Sequence, residues 1–282
     1  MRLGRSPSAR RYARADGTFT KFFERDVELE AEKAAALFAL AARNGFVAPR
    51  PLSADPAGGS LSFEYIPGPP RSVRDLYLAY VAGTSPPART PRTFHEIGSM
   101  LGAIHRELSL PSRRAWRPTE PFDTAMCRAW GEGYGAPLAA TPHAFLHGDF
   151  GFSNVLLLDG HAPPRIAVID PSPNGYVTFH CDTFASVYLD LAKFVCCLDG
   201  LVPPVHHAAI DWRRAVALRD AFLDGYGART GLAIDRRLLD GLAFATAAAK
   251  FAKEYPSPVL RRLALWLLYR PRKRRVLFGA SG

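Results

Sequence analysis

Residues 144–171 read AFLHGDFGFSNVLLLDGHAPPRIAVIDP, and the rest of the chain is organised around them. A short apolar run closes at Leu146, and Asp149 follows on a loop. Asn154 stands five residues further on, directly before a second apolar run, Val155 to Leu158. Asp159-Gly160 and Pro163-Pro164 then punctuate the chain as a turn. A third run, Ile166 to Ile169, ends on Asp170. The pattern predicts two short strands joined as a hairpin, with an Asp, an Asn and an Asp presented at their ends.

That set of groups suits phosphoryl transfer. One carboxylate accepts or orients the proton of an attacking hydroxyl; Asp149 fits this role. A hard oxygen donor and a second carboxylate hold the magnesium that bridges nucleotide phosphates; Asn154 and Asp170 fit the metal pair. A polar hairpin turn is the plainer alternative, and a lone D-x-x-x-x-N is common by chance. The whole assembly, with apolar runs on both sides and I-D after the hairpin, is not.

HGDFGFSN at 147–154 resembles the catalytic loop of the aminoglycoside phosphotransferase and choline kinase group, H-G-D-x-x-x-x-N, and I-D-P at Asp170 stands where protein kinases carry D-F-G. The resemblance implies a two-lobed α+β protein-kinase-like fold. A small β-rich nucleotide lobe would span 1–66, and a larger, mainly helical lobe with the catalytic loop and acceptor site 67–282. It further implies ATP and Mg2+ as cofactors and a hydroxyl of a small molecule or glycan as acceptor. By position, His147 and Asp190 would support the catalytic loop, Asp190 being the aspartate of the D-L-A helix in VYLDLAKF.

Upstream, Ser6 lies in a G-x-S segment that resembles the nucleotide loop. Asp16-Gly17 reads as a hairpin turn and Thr18 to Phe23 as the strand after it. Lys21 on that strand is the phosphate-neutralising lysine by position. Only three residues precede Gly4, so the first strand of the small lobe is expected to be truncated. Residues 27–43 are rich in Ala, Leu, Glu and Lys and predict a strong helix, which Asn44-Gly45 stops. Its glutamate paired with Lys21 is read as Glu32, with Glu30 the alternative on another face. Pro49 and Pro51 break the chain; Leu61 to Ile66 reads as a strand leading into Pro67-Gly68-Pro69-Pro70, which resembles the family's hinge between lobes, and the resemblance implies that the adenine would be read there by backbone at the positions of Glu64 and Ile66.

Helical spacing runs over 93–108, with His105 read as a buried structural histidine, and Gly83 to Pro91 reads as a loop. Three further helical segments are expected at 211–226, 233–254 and 257–270.

The chain has 282 residues, 48% hydrophobic and 22% charged, which is ordinary for a globular protein of one large domain or two lobes. No apolar run reaches membrane-span length and no secretory h-region is present, so a cytoplasmic protein is expected. The four cysteines, Cys127, Cys181, Cys196 and Cys197, form no C-x-x-C pair and read as reduced. Net charge is +10, and residues 201–282 carry 15 Lys and Arg against six Asp and Glu, which accounts for nearly all of it. A pocket for a polycationic aminoglycoside should be lined with carboxylates, so this excess argues for a neutral or anionic acceptor. The apolar stretch around Trp266 and Tyr269, followed by Arg270 to Arg275, could rest on an anionic membrane through 257–275; a core helix with a solvated basic end is the plainer alternative. A nucleotide-binding regulator without turnover and an aminoglycoside kinase proper remain as alternatives. Nucleic acid is not expected as a partner, because no reader motif accompanies the charge.

Overall fold

In the computed structural model, residues 9–15, 17–23, 27–66, 71–84, 89–110, 137–158, 165–172, 183–199, 206, 209–254, 257–260 and 263 are described below. Ser6, the hinge prolines, Cys127, Cys181 and the tail beyond Leu263 lie outside them, as does most of the helix expected at 257–270.

The T-F-T-K-F-F run forms β2 (Thr18–Phe23), hairpinned to β1 (Ala9–Ala15) across Gly17, whose φ of +76° only glycine takes readily. β4 (Ser60–Glu64) pairs on the other side of β2, and β3 (Pro51–Asp55) closes the sheet in the order β1-β2-β4-β3, antiparallel throughout. The proline pattern at 49–51 hid β3. It is an edge strand with four of five residues exposed, so it lacks apolar alternation, and its proline sits at the first position, where an edge tolerates it.

Helix α1 (Val27–Asn44) covers this sheet. Val27 and Ala34 meet Phe23, Leu61 and Phe63 in a small core, while Leu37, Leu40 and Ala41 further along enter the main core. The helix stops at Gly45 (φ +75°), as the Asn-Gly signal predicts. The chain then lays Val47 against the hairpin strand 165–168: Val47 N–H donates to Ile166 O at 2.9 Å, and Val168 N–H to Val47 O at 2.9 Å.

The main core is helical. α2 (Val73–Val81), α3 (Arg89–Glu107), α4 (Tyr188–Leu198), α5 (Trp212–Thr230) and α6 (Arg236–Glu254) surround it. α2 begins at Ser72, which caps the N–H of Arg74. α3 starts earlier than its sequence pattern suggests: Pro91 lies in the first turn, where no helical N–H is lost, so 89–91 belong to the helix and not to the loop. α3 and α5 cross almost backbone to backbone. A Cβ on Gly98 would stand 1.9 Å from Phe222 O, and one on Gly225 2.0 Å from His95 O.

The predicted hairpin forms as β7 (Val155–Leu158) and β8 (Arg165–Val168), extended by β5 (Arg71–Ser72) in the order β5-β7-β8. β6 (His143–Phe145) leads into the loop before it and pairs with β9 (Phe184–Ser186). No helix among the described residues is long and apolar enough to cross a membrane.

Candidate active site

The loop from His147 to Asn154 is buried except at Asp149 and Ser153. Phe150 and Phe152 are buried, and their rings stand 5.3 and 5.2 Å from that of Phe194 on α4, which stacks on Phe222 of α5 at 4.4 Å. Each such ring contributes about 1.5–3 kcal/mol by burial. With two anchors fixed inward, Asp149 turns outward, its side chain 43% exposed.

Asp190, fully buried, holds the start of this loop from α4. Its Oδ2 accepts the N–H of His147 at 2.7 Å and its Oδ1 that of Gly148 at 3.1 Å. His105 Nε2 lies 3.0 Å from the same carboxylate, and its Nδ1 2.9 Å from the Tyr226 hydroxyl, so α3, α4 and α5 meet in one polar chain. His105 is thus buried, as expected, and also ties two helices to the loop support.

His147 is buried, and its Nε2–H donates to Ile169 O at 3.0 Å while Nδ1 accepts the Asp149 N–H at 3.3 Å. That pattern fixes a neutral imidazole, and burial pushes its pKa down, consistent with the absence of a proton on Nδ1. His147 therefore joins the two ends of the hairpin, at 149 and 169.

Asn154, at the start of β7, donates its Nδ2–H to Asp149 O at 2.8 Å and to Asp149 Oδ2 at 3.0 Å. Its amide oxygen is then what it can offer a hard cation. Asp170 follows β8 with φ +59°, the only non-glycine with positive φ among the described residues. A left-handed Asp costs roughly 1 kcal/mol or more, and such strain concentrates at functional sites. An amide oxygen and a carboxylate at neighbouring strand ends are the donor chemistry that Mg2+ prefers, completed by phosphate oxygens. The residues present fit that ion.

Lys21 is 5% exposed and donates to both Glu30 Oε1 and Asp170 Oδ1. The expected partner Glu32 is thereby corrected to Glu30. Two residues along a helix turn by about 200°, so only one of them can face the strand. Glu30 shares the buried face with Lys33, Ala34 and Leu37, whereas Glu32 is half-exposed. Burial lifts the Glu30 carboxyl to about 7 against the pull of Lys21. Burial also opposes the Lys21 charge, but Asp170 and Glu30 outweigh it and hold the ammonium protonated.

Two lysines escaped the sequence reading. Lys33, fully buried on α1, donates to Ser172 O and to Thr183 Oγ1 at 2.9 Å, tying α1 to the chain just after Asp170. Lys193 on α4 places Nζ 2.9 Å from Asp149 Oδ1. Its signal was its spacing: it stands three residues after Asp190, on the same helix face. Of the expected hinge residues, Glu64 is exposed, ion-paired with Arg50 at 3.0 Å, and gives its N–H to Arg50 O at 2.8 Å; Ile66 is half-buried.

No protein-family model and no curated protein sequence matches the chain. Solved structures do. A glucosamine kinase (crystal form B) superposes with a TM-score of 0.56 at 18% identity, covering 89% of this chain and 72% of the other. A glucosamine kinase in complex with glucosamine, ADP and inorganic phosphate gives 0.53 at 19%, covering 89% and 70%. A Plasmodium vivax ethanolamine kinase gives 0.50 at 12%, covering 90% and 74%. The protein has the two-lobed α+β fold of the protein-kinase-like small-molecule phosphotransferases, as the loop at 147–154 led one to expect.

Proposed function

We propose that the protein is an ATP-dependent phosphotransferase acting on a hydroxyl of a small molecule. The observation that carries this reading is that Lys21, Glu30 and Asp170 form one set of contacts and Asn154 and Asp149 another, and that the Ile169 N–H bond to Asn154 O at 2.9 Å holds the residue before Asp170 against Asn154. The likeness in fold to kinases, one of them solved with ADP, supports it.

In this reading the nucleotide lies between the sheet of residues up to 66 and the remainder of the chain, 67–282. Lys21 neutralises nucleotide phosphates, and Glu30 aims it. Glu64 and Ile66 meet the base through their backbone, and Ser6 belongs to the loop over the phosphates. Asn154 Oδ1 and Asp170 would hold Mg2+, which would neutralise charge on the transferred group. Asp149 accepts the acceptor's hydroxyl proton as its oxygen bonds to the γ-phosphorus, and the bond to the β–γ bridging oxygen breaks to release ADP. His147 and Asp190 keep the loop that carries Asp149 in place.

The test is ATP consumption by the wild type across a panel of hydroxyl compounds, repeated with Asp149→Asn. Consumption that depends on an acceptor and disappears in the variant supports the reading; wild-type-like turnover in the variant removes Asp149 from the role. From the positive balance of 201–282 we take the acceptor to be neutral or anionic, such as a glycan, and efficient phosphorylation of kanamycin-type polycations would overturn that. Contact of 257–275 with anionic membrane is tested by sedimentation with anionic liposomes before and after removal of 271–282, and unchanged binding discards it.

A further inference from the structure

Lys193 is the one ion-paired partner of Asp149 among the described residues, and nothing in the mechanism above uses it. Its placement is built. The stem passes over Gly151, where a Cβ would come 3.3 Å from Lys193 Cε, so the glycine in the middle of the catalytic loop leaves the room that the lysine occupies. Asp190 and Lys193 project from the same side of α4, one gripping the backbone at 147–148 and the other the carboxylate at 149. The Lys193 side chain is 24% exposed and that of Asp149 43%, so the pair is open to solvent and to an acceptor. Burial opposes the lysine's charge, but the Asp149 carboxylate and Cys197 outweigh it, and the pKa is raised.

Both carboxylate oxygens of Asp149 are thereby committed: Oδ2 to Asn154 and Oδ1 to Lys193. An incoming hydroxyl therefore meets a carboxylate that already faces the Lys193 ammonium. We infer that Lys193 is the specificity-determining cation of this site: it positions Asp149 and admits acceptors that are neutral or anionic around the reacting hydroxyl, while disfavouring those with an ammonium on the next carbon. This rests on the phosphotransferase reading. It is independent of the charge balance of the carboxy-terminal third, because the group responsible touches the base itself.

The size of the effect follows from Coulomb's law. An acceptor ammonium two carbons from the hydroxyl would come within about 5 Å of Lys193 and lie as near to Asp149, so the two charges offset, and removing Lys193 should move the ratio of neutral to cationic kcat/KM by about ten-fold after discount for part-exposure. Acceptors in which the charge lies further away, beyond about 8 Å, escape most of it.

The experiment compares acceptors matched in size: ethylene glycol with ethanolamine, 3,3-dimethylbutan-1-ol with choline, and glucose with glucosamine. The wild type should prefer the neutral member of each pair, because Lys193 offsets the pull of Asp149 while an ammonium must still shed water, and the ratio should move by about ten-fold once the Lys193 charge is removed. Lys193→Met keeps the stem over Gly151 and removes the charge; it should abolish or reverse the preference, mainly through KM, because Asp149 then attracts the cation. Lys193→Arg should restore it, which a merely structural lysine would not require. A wild type that prefers the cationic members overturns the inference, and so does a ratio left unmoved by Lys193→Met. Should that variant not fold, the wild-type ratios alone decide. Calorimetric titration with Mg-ADP separates the two readings. No nucleotide binding sinks the phosphotransferase reading and this one with it. Binding with turnover of cationic acceptors only sinks this one alone, as does binding without turnover of any neutral member.

Discussion

The site contains two lysine–carboxylate arrangements that look alike in a contact map and differ in surroundings. Lys21, 5% exposed, is enclosed by Glu30 and Asp170 on the side proposed for the nucleotide. Lys193, 24% exposed, faces the half-exposed Asp149 on the side proposed for the acceptor. A buried ion pair has no water to fall back on, so each member depends on the other. A part-exposed pair can exchange a partner for water or substrate at little cost. The enclosed pair is therefore suited to fixed geometry and the open pair to turnover and selection.

The largest effect that would sharpen this contrast is on turnover. Asp149→Asn should lower kcat by about 10²–10⁴-fold, the worth of a positioned base, with Mg-ADP affinity held within about two-fold. Weakened nucleotide affinity of similar size would merge the two sides and break the comparison.

Next comes stability. Lys21→Met leaves Glu30 buried beside an apolar group and should cost about 3 kcal/mol in denaturant unfolding. Lys193→Met should cost less than about 1 kcal/mol, because Asp149 can turn to solvent. Equal losses would show that exposure does not distinguish the pairs.

The two proposed metal donors give a third comparison. Asn154→Ala and Asp170→Ala should each weaken Mg-nucleotide binding about ten-fold or more while changing metal-free nucleotide binding less. Losses of the same size with and without magnesium would remove both residues from metal ligation.

A smaller effect is set by pH. The buried Glu30 carboxyl titrates near 7 when folded and near 4.5 when exposed, so between these values the folded protein holds a proton that the unfolded chain has released. Stability from this group is present below about 4.5 and falls as pH climbs to about 7. Measured as a difference in Tm against Glu30→Gln, the wild type should lose ground across that window and level off above it. His147, whose burial acts in the opposite direction by disfavouring protonation, is common to both proteins and cancels. A difference that is flat, or that rises with pH, would place Glu30 as an ordinary ionised partner of Lys21.

The smallest expected change is Gly151→Ala. The new Cβ would press on Lys193 Cε at 3.3 Å, tighter than ordinary contact but against a flexible stem, so kcat should fall only about two- to five-fold with unfolding free energy within about 0.5 kcal/mol. A large drop in stability would mean that the loop, and not the lysine, is what the glycine serves.

By itself the sequence determined the hairpin and its cargo. HGDFGFSN fixes Asp149 and Asn154 within one loop, and the run from Ile166 to Ile169 delivers Asp170 at its end, because strand period and turn chemistry act over a few residues. The same local physics made α1, its stop at Gly45 and the Gly17 hairpin readable. β3 was hidden because an exposed edge strand has no apolar alternation to show. The tertiary structure decided which side chains from distant elements meet those three groups. Glu30 prevails over Glu32 through the phase of α1 against β2, Lys33 reaches Ser172 across 139 positions, and Lys193 reaches Asp149 only once Phe194 has docked on Phe150 and Phe152. Helix periodicity states which residues share a face; only packing states what that face is set against.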